Sequence, residues 1–232
     1  MIDRNLLRLS ATLLFIGVVL STVLTQYVHP GGGPTMEATF ANYAASGDWA
    51  AIHLGEFVSE AVLLAGLLVL FFALGVSQGT PRWLGFFAAI AAGVALAEAS
   101  VLYAVDGVAL KQAVDAWASA PAAEQAARFA SAEAIRWLEW GINSYWNFMQ
   151  GLALVLYAIV IVRTARVPRP IGYLMGLSGL AFFVLGWLVG TRGFTNANNV
   201  PTNAGWTLLY VLTIWLLIVA WRMKESVQAA PA

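Results

Sequence analysis

Six stretches of this chain are each apolar over roughly the 20 residues a helix needs to cross a bilayer. They are residues 6–28, 49–74, 84–108, 131–162, 171–190 and 205–221. This pattern limits the fold more than any other feature. Backbone N–H and C=O groups inside lipid must be satisfied within the spanning element, which leaves helices or closed barrels. Barrel strands are short and alternate in polarity, so runs of this length point to helices. The expectation is an all-α integral membrane protein, one transmembrane domain over residues 1–232, with six spans and long loops at 29–48, 109–130 and 191–204. Composition agrees: 60% of residues are hydrophobic and only 10% charged, against about 25% charged in a soluble domain.

Charge placement gives an orientation. Arg4, Arg8, Arg82, Arg163, Arg166, Arg169, Arg222 and Lys224 fall on one side of a six-span topology, and Lys111, Arg128 and Arg192 on the other. The positive-inside rule then predicts a multi-pass cell-membrane protein with both termini cytoplasmic and the long loops outside. The first apolar run lacks a small-x-small cleavage pattern and reads as a retained span.

Several function classes drop out. The chain has no Cys, which removes thiolate metal sites, Fe–S clusters and thiol catalysis. It has two His, so a site of three imidazoles within one chain is excluded. There is no basic block for nucleic acid. No Walker loop, His-Glu-x-x-His or Gly-x-Ser-x-Gly motif occurs.

The remaining chemistry sits in the spans. In RWLEWGINSYWNFMQ (residues 136–150), Arg136, Glu139, Asn143, Asn147 and Gln150 share one helical face, bordered by Trp140 and Trp146. Polar groups inside a membrane helix are costly and point into the bundle. The second span places His53, Glu56 and Glu60 on one face, and the third carries Glu98, Tyr103 and Asp106. Counting about 1.5 Å per residue puts these three sets in the same outer layer. The expected ligand-binding set is therefore His53, Glu56, Glu60, Glu98, Tyr103, Asp106, Arg136, Glu139, Trp140, Asn143 and Asn147, with Gln150 as floor or packing.

Carboxylates outnumber cations in that set, so the layer needs protons or a cation. One reading is an outward-facing pocket that binds or transports a cation or small amphiphile. A second is a membrane-embedded enzyme acting on a lipid-like substrate, with Glu98 and Glu139 as acid and base. In that case His53, Glu56, Glu60, Glu98 and Glu139 could form an oxygen-rich metal site favouring Mn, Fe, Ca or Mg. A third is a non-catalytic subunit whose polar stripe meets a partner helix. A bis-histidine haem would have to use His29, which beside Pro30 reads as a loop residue. Polarity fades toward the cytoplasmic side, where 61–74, 85–97 and 151–162 hold no Asp, Glu, His, Lys or Arg.

Smaller features complete the reading. Pro30-Gly-Gly-Gly-Pro34 ends the first span, and Met36, Phe40 and Tyr43 then recur at helical spacing, predicting a short interfacial helix. Asp48 suits a helix N-cap. Asp106-Gly107 should end or bend the third span. Lys111 and Asp115 form an i,i+4 pair. A helix from Pro121 to Val162 would be about 60 Å long, so its first third must project, bend or lie on the surface. Alanines of the third span and glycines of the fifth predict close helix contacts. Gly66-Leu-Leu-Val-Leu…Pro81-Arg-Trp-Leu-Gly85 resembles Gly151-Leu-Ala-Leu-Val…Pro168-Arg-Pro-Ile-Gly172. This suggests two parallel hairpin copies, spans two to five forming a four-helix core with one and six as flankers.

Overall fold

The first span begins at Arg4 because Asp3 caps it, its carboxylate accepting the Leu6 N–H at 3.0 Å. From there a computed structural model describes residues 2–223 as helices joined by short turns. Lys224, which the charge argument used, lies outside the described residues. The helices are α1 (Arg4–Val23), α2 (Met36–Ala45), α3 (Trp49–Leu74), α4 (Gly79–Ala104), α5 (Lys111–Ala118), α6 (Gln125–Thr164), α7 (Arg169–Arg192) and α8 (Asn199–Arg222). A π-helical turn, Leu24–Val28, extends α1, and another, Val105–Leu110, joins α4 to α5. Six of the resulting helices are long and apolar enough to span a bilayer, so the chain is a multi-pass membrane protein by length and composition. No strand occurs among the described residues.

The spans close a ring. α1 packs on α3, α3 on α4, α4 on α6, α6 on α7, α7 on α8, and α8 back on α1. This differs from the expected four-helix core with outer flankers, because α1 and α8 complete the wall. Arg8 secures that closure by donating to the Ala220, Trp221 and Met223 carbonyls at the end of α8. Those carbonyls have no partner within their own helix, and a cation there also suits the helix dipole.

The end of the bundle carrying the termini is filled solid. Lipid removes the hydrophobic drive for helices to associate, so packing and interhelical hydrogen bonds must do it. The expected small-residue faces serve this purpose: Ala88, Ala91, Ala92, Ala95 and Ala99 are all buried. A Cβ on Gly179 would stand 2.7 Å from the Gly151 carbonyl oxygen, so α7 lies against α6 as only glycine allows. Tyr157 of α6 crosses the ring and donates its hydroxyl to the Leu67 carbonyl of α3 at 2.7 Å. Leu63, Leu67, Leu70, Leu154 and Ile161 fill the space around it.

At the other end, α6 is not interrupted. It runs on as one 40-residue helix, about 60 Å long, and its first turns join α2 and α5 in a second core. Phe40, Tyr43, Trp49, Leu110, Val114 and Ala132 are buried there, with Phe129 and Trp117 packed against them. The short helix at Met36–Ala45 forms as its spacing predicts, capped by Thr35. Lys111 pairs with Asp115 at 2.6 Å and also donates to the Ala44 carbonyl. Asp48 takes the N-cap position of α3, but its side chain makes no capping bond.

Candidate functional site

Between the solid end and the cap, the six-helix ring encloses a cavity of about 680 Å³. All six spans reach it: Ser21 and Thr25 from α1, Glu56 and Glu60 from α3, Tyr103 and Asp106 from α4 and its π turn, Arg136, Glu139, Trp140, Asn143, Trp146 and Asn147 from α6, Leu185 from α7, and Thr202 and Trp206 from α8. The strap His29-Pro-Gly-Gly-Gly-Pro and α2 roof it.

Two local distortions shape the site. The π turn Val105–Leu110 falls on Asp106-Gly107, where a bend was expected, and the chain then continues into α5 rather than ending. Such turns insert one residue into the helical ladder and re-aim side chains. Gly107 makes the approach feasible, since a Cβ there would stand 2.7 Å from the His53 Cβ. Asp106 Oδ2 consequently reaches 3.2 Å from His53 Nε2, while the Asp106 carbonyl accepts the Trp49 indole N–H at 3.0 Å. His53 Nδ1 lies 2.8 Å from the Trp49 carbonyl, a bond that requires the proton on Nδ1. The other π turn, Leu24–Val28, delivers His29 to the same place: its ring lies 5.0 Å from His53 and 5.4 Å from Trp49. Donor atoms of His29, His53 and Glu56 all lie within 4.8 Å of one another.

Three kinds of pairing occupy the cavity wall. Arg136 is held by Glu139, with which it forms a tight ion pair, by the Tyr43 hydroxyl at 3.1 Å, and by Asp106 Oδ1 at 3.8 Å. Its guanidinium also lies over the Tyr43 and Phe194 rings. Thr25 donates to Glu56 at 3.3 Å and Ser21 to Glu60 at 3.0 Å. Asn147 donates to Asn143 one turn away. Two groups outside the spans are displaced from their ordinary titration. Burial, reinforced by the neighbouring His53, holds the His29 imidazole below the usual histidine value. Burial pushes the Tyr43 phenol up to about 12, against the opposing pull of Arg136.

Several buried polar atoms of the wall have no hydrogen-bond partner in the protein: Glu60 Oε2, Asp106 Oδ1, Asn147 Oδ1, and the indole nitrogens of Trp140 and Trp146. Buried polar atoms are nearly always satisfied by protein, water or ligand, so these mark a space meant to be filled by something polar.

The expected residues divide clearly. Glu56, Glu60, Tyr103, Asp106, Arg136, Glu139, Trp140, Asn143 and Asn147 line the cavity, and His53 stands behind it, bonded to Asp106. Glu98 does not line it: it is half-buried on α4, one turn below Leu102, with Oε2 unpaired. Gln150 is fully buried and does not line the cavity, and both its amide atoms lack a partner in the protein. Tyr145 is 66% exposed and faces outward from the ring, whereas Trp146 forms cavity wall. Residues of α1 went unrecognised. Ser21, Thr25 and His29 recur every four positions, a stripe that could have identified α1 as wall. The His29 and His53 rings meet edge to face 5.0 Å apart, closer than two imidazoles on opposite sides of a haem iron would stand. Comparison with protein-family models, with characterised proteins and with solved structures finds no match to this chain.

Proposed function

We propose that the protein binds a small organic cation or cationic amphiphile in this cavity, entering from the outer face of a cell membrane with both termini cytoplasmic. The observation that carries the reading is the charge balance of the wall. Glu56, Glu60, Asp106 and Glu139 face one guanidinium, Arg136, in a space lined by the Tyr103, Trp140, Trp146 and Trp206 rings. Carboxylates taken out of water need compensating charge, and aromatic faces attract alkylammonium groups. The volume falls within the range of small-molecule pockets. Orientation rests on the arginines gathered at the termini end. The Pro-Arg turns that join α3 to α4 and α6 to α7 support reading those hairpins as copies of one another. Transport would require the packed end to open, with glycine-rich α7 as the element to move.

The test is a titration of the full chain in lipid nanodiscs, followed by tryptophan fluorescence, with tetraethylammonium and dodecyltrimethylammonium. Saturable binding of at least one, with no response to dodecyl sulfonate, is expected. Equal response to the sulfonate would overturn the reading.

A second reading, a membrane-embedded metal-dependent enzyme for a lipid-like substrate, is favoured by one further feature. An apolar groove of about 270 Å³ between α3 and α4, lined by Leu54, Phe57, Ala104 and Val108, ends on His53 and Tyr103. A lipid chain lying there would bring its polar end to the histidines. In this reading Glu139 retains a place as acid or base, and Glu98, outside the cavity, loses the role first given to it.

A further inference from the structure

Three side-chain atoms meet at the edge of the cavity with at most one proton among them. His53 gives its Nδ1 proton to the Trp49 carbonyl; in the neutral ring Nε2 then carries a lone pair and faces Asp106 Oδ2, 3.2 Å away, and Glu56 Oε2, 3.9 Å away. A ring nitrogen of His29 joins them, within 4.8 Å of both His53 and Glu56 donor atoms. Lone pairs converging in this way repel one another unless a proton or a metal ion stands between them.

The spacing suits a metal ion. Donors held about 2.0–2.2 Å from an ion stand roughly 3–4 Å from one another, so the His29, His53 and Glu56 atoms, all within 4.8 Å of one another, need closing by about 1 Å, and Asp106 adjoins them at His53 Nε2. The surroundings are also those of a metal site. A metal-bound imidazole commonly donates its second N–H to a backbone carbonyl, which fixes the ring and its tautomer; the Trp49 carbonyl does this for His53. The Trp49 ring stacks on His53 at 4.2 Å, and His29 lies against the Trp49 and Tyr43 rings, which meet each other at 4.3 Å. Neither histidine is free to turn away. One turn deeper, Glu60 is 1% exposed and keeps an unpartnered carboxylate oxygen in the same cavity.

We infer that His29, His53, Glu56 and Asp106 form a site for a divalent first-row transition ion, Zn²⁺ above all, with the Pro-Gly strap pinned to the bundle through His29. Two imidazoles with two carboxylates make a zinc-type donor set, which Mg²⁺ and Ca²⁺ bind poorly for want of oxygen ligands. This revises the oxygen-rich site expected from sequence. Glu139 is engaged by Arg136, Glu98 lies elsewhere, and a second imidazole takes their place. The inference rests on the cavity reading only for the ion's route of entry.

The experiment uses the full chain in nanodiscs, stripped with chelator, then equilibrated with Zn²⁺, Mg²⁺ or Ca²⁺ and analysed for bound metal. One equivalent of Zn²⁺ and no retained Mg²⁺ or Ca²⁺ is expected. His53→Ala should abolish binding, and His29→Ala and Glu56→Gln should each weaken it at least about tenfold. Co²⁺ in place of Zn²⁺ should give a visible d–d band that His29→Ala alters. His29 lies in the strap, so this variant should retain the wild-type melting profile in the metal-free state, separating ligand loss from unfolding. Less than about a fifth of an equivalent of Zn²⁺ on the wild-type chain would overturn the inference, as would unchanged affinity in His29→Ala. In that case a proton shared by His53 and Asp106 fills the gap. Tetraethylammonium binding measured in the same chelated samples keeps the two claims apart: if it persists without Zn²⁺ binding, the metal site alone falls.

Discussion

The two ends of the helix ring solve the same problem by opposite means. At the termini end the spans touch through alanine and glycine, Tyr157 bridges α6 and α3, and among the described residues no Asp, Glu, His, Lys or Arg is buried there. At the loop end the same helices part around a cavity with four carboxylates, an arginine and two histidines in or beside its wall. The separation is held from above by a cap that works on a different principle. Phe40, Trp49, Leu110 and Val114 pack at the ends of the spans against the first turns of α6, where exposure to water is the alternative and each buried side chain contributes about 1.5–3 kcal/mol. Lipid offers the lower end no such drive, so it relies on close fit. The contrast teaches that α6 is two structures in one helix, a packed strut below Gln150 and a site-bearing wall above it.

Substitutions should respect this division. The largest effect is expected from Arg136→Ala, which leaves Glu139 buried without its partner and should cost about 3–5 kcal/mol in chemical unfolding in mixed micelles. The double change Arg136→Met with Glu139→Leu should lose less than the single one, because it removes both charges together. A single-variant loss under about 1 kcal/mol would mean that water already screens the pair. Gly179→Leu, in the packed end, should destabilise by about 1–3 kcal/mol through overpacking against Gly151, with tetraethylammonium affinity unchanged. Altered affinity would show that the two ends are coupled.

Glu60→Gln should act in the reverse sense. It should weaken ammonium binding by about tenfold, roughly 1.4 kcal/mol, and leave the melting temperature as it is or higher, since a buried carboxylate with no cation beside it is removed while the Ser21 bond can persist. Tyr157→Phe is the mildest of the set. Loss of its bond to Leu67 should cost about 1 kcal/mol with binding untouched, and an effect on binding would refute its assignment to the closed end.

Much of this division was legible in the sequence, for reasons that can be named. Helix periodicity and depth counting brought Glu56, Glu60, Asp106, Arg136 and Glu139 into one layer, because a membrane helix is straight and its rise per residue constant. The same counting misplaced Glu98. Its depth was close, but which face of α4 lines a cavity depends on where the neighbouring helices stand, and Leu102 takes the position that Glu98 was expected to hold. His29 was missed because the π turn that aims it has no periodic signature, and a histidine beside proline looks like loop. The ring closure by α1 and α8 was hidden as well. Arg8 reads as a topogenic charge, and only the fold reveals that it also caps the end of α8.

The central claim is that the loop end holds an aqueous, carboxylate-rich cavity open to one side while the termini end is dry and closed. The chain contains no cysteine, so single cysteines can report on this directly. Thr25→Cys, Asn143→Cys, Ala91→Cys and Leu154→Cys would each be treated on intact cells with membrane-impermeant methanethiosulfonates, one cationic and one anionic. Thr25→Cys and Asn143→Cys should react from outside, with the cationic reagent faster by about tenfold or more through the field of the wall, and Ala91→Cys and Leu154→Cys should stay unmodified. Equal labelling at both ends, or a faster reaction with the anionic reagent, would contradict the account.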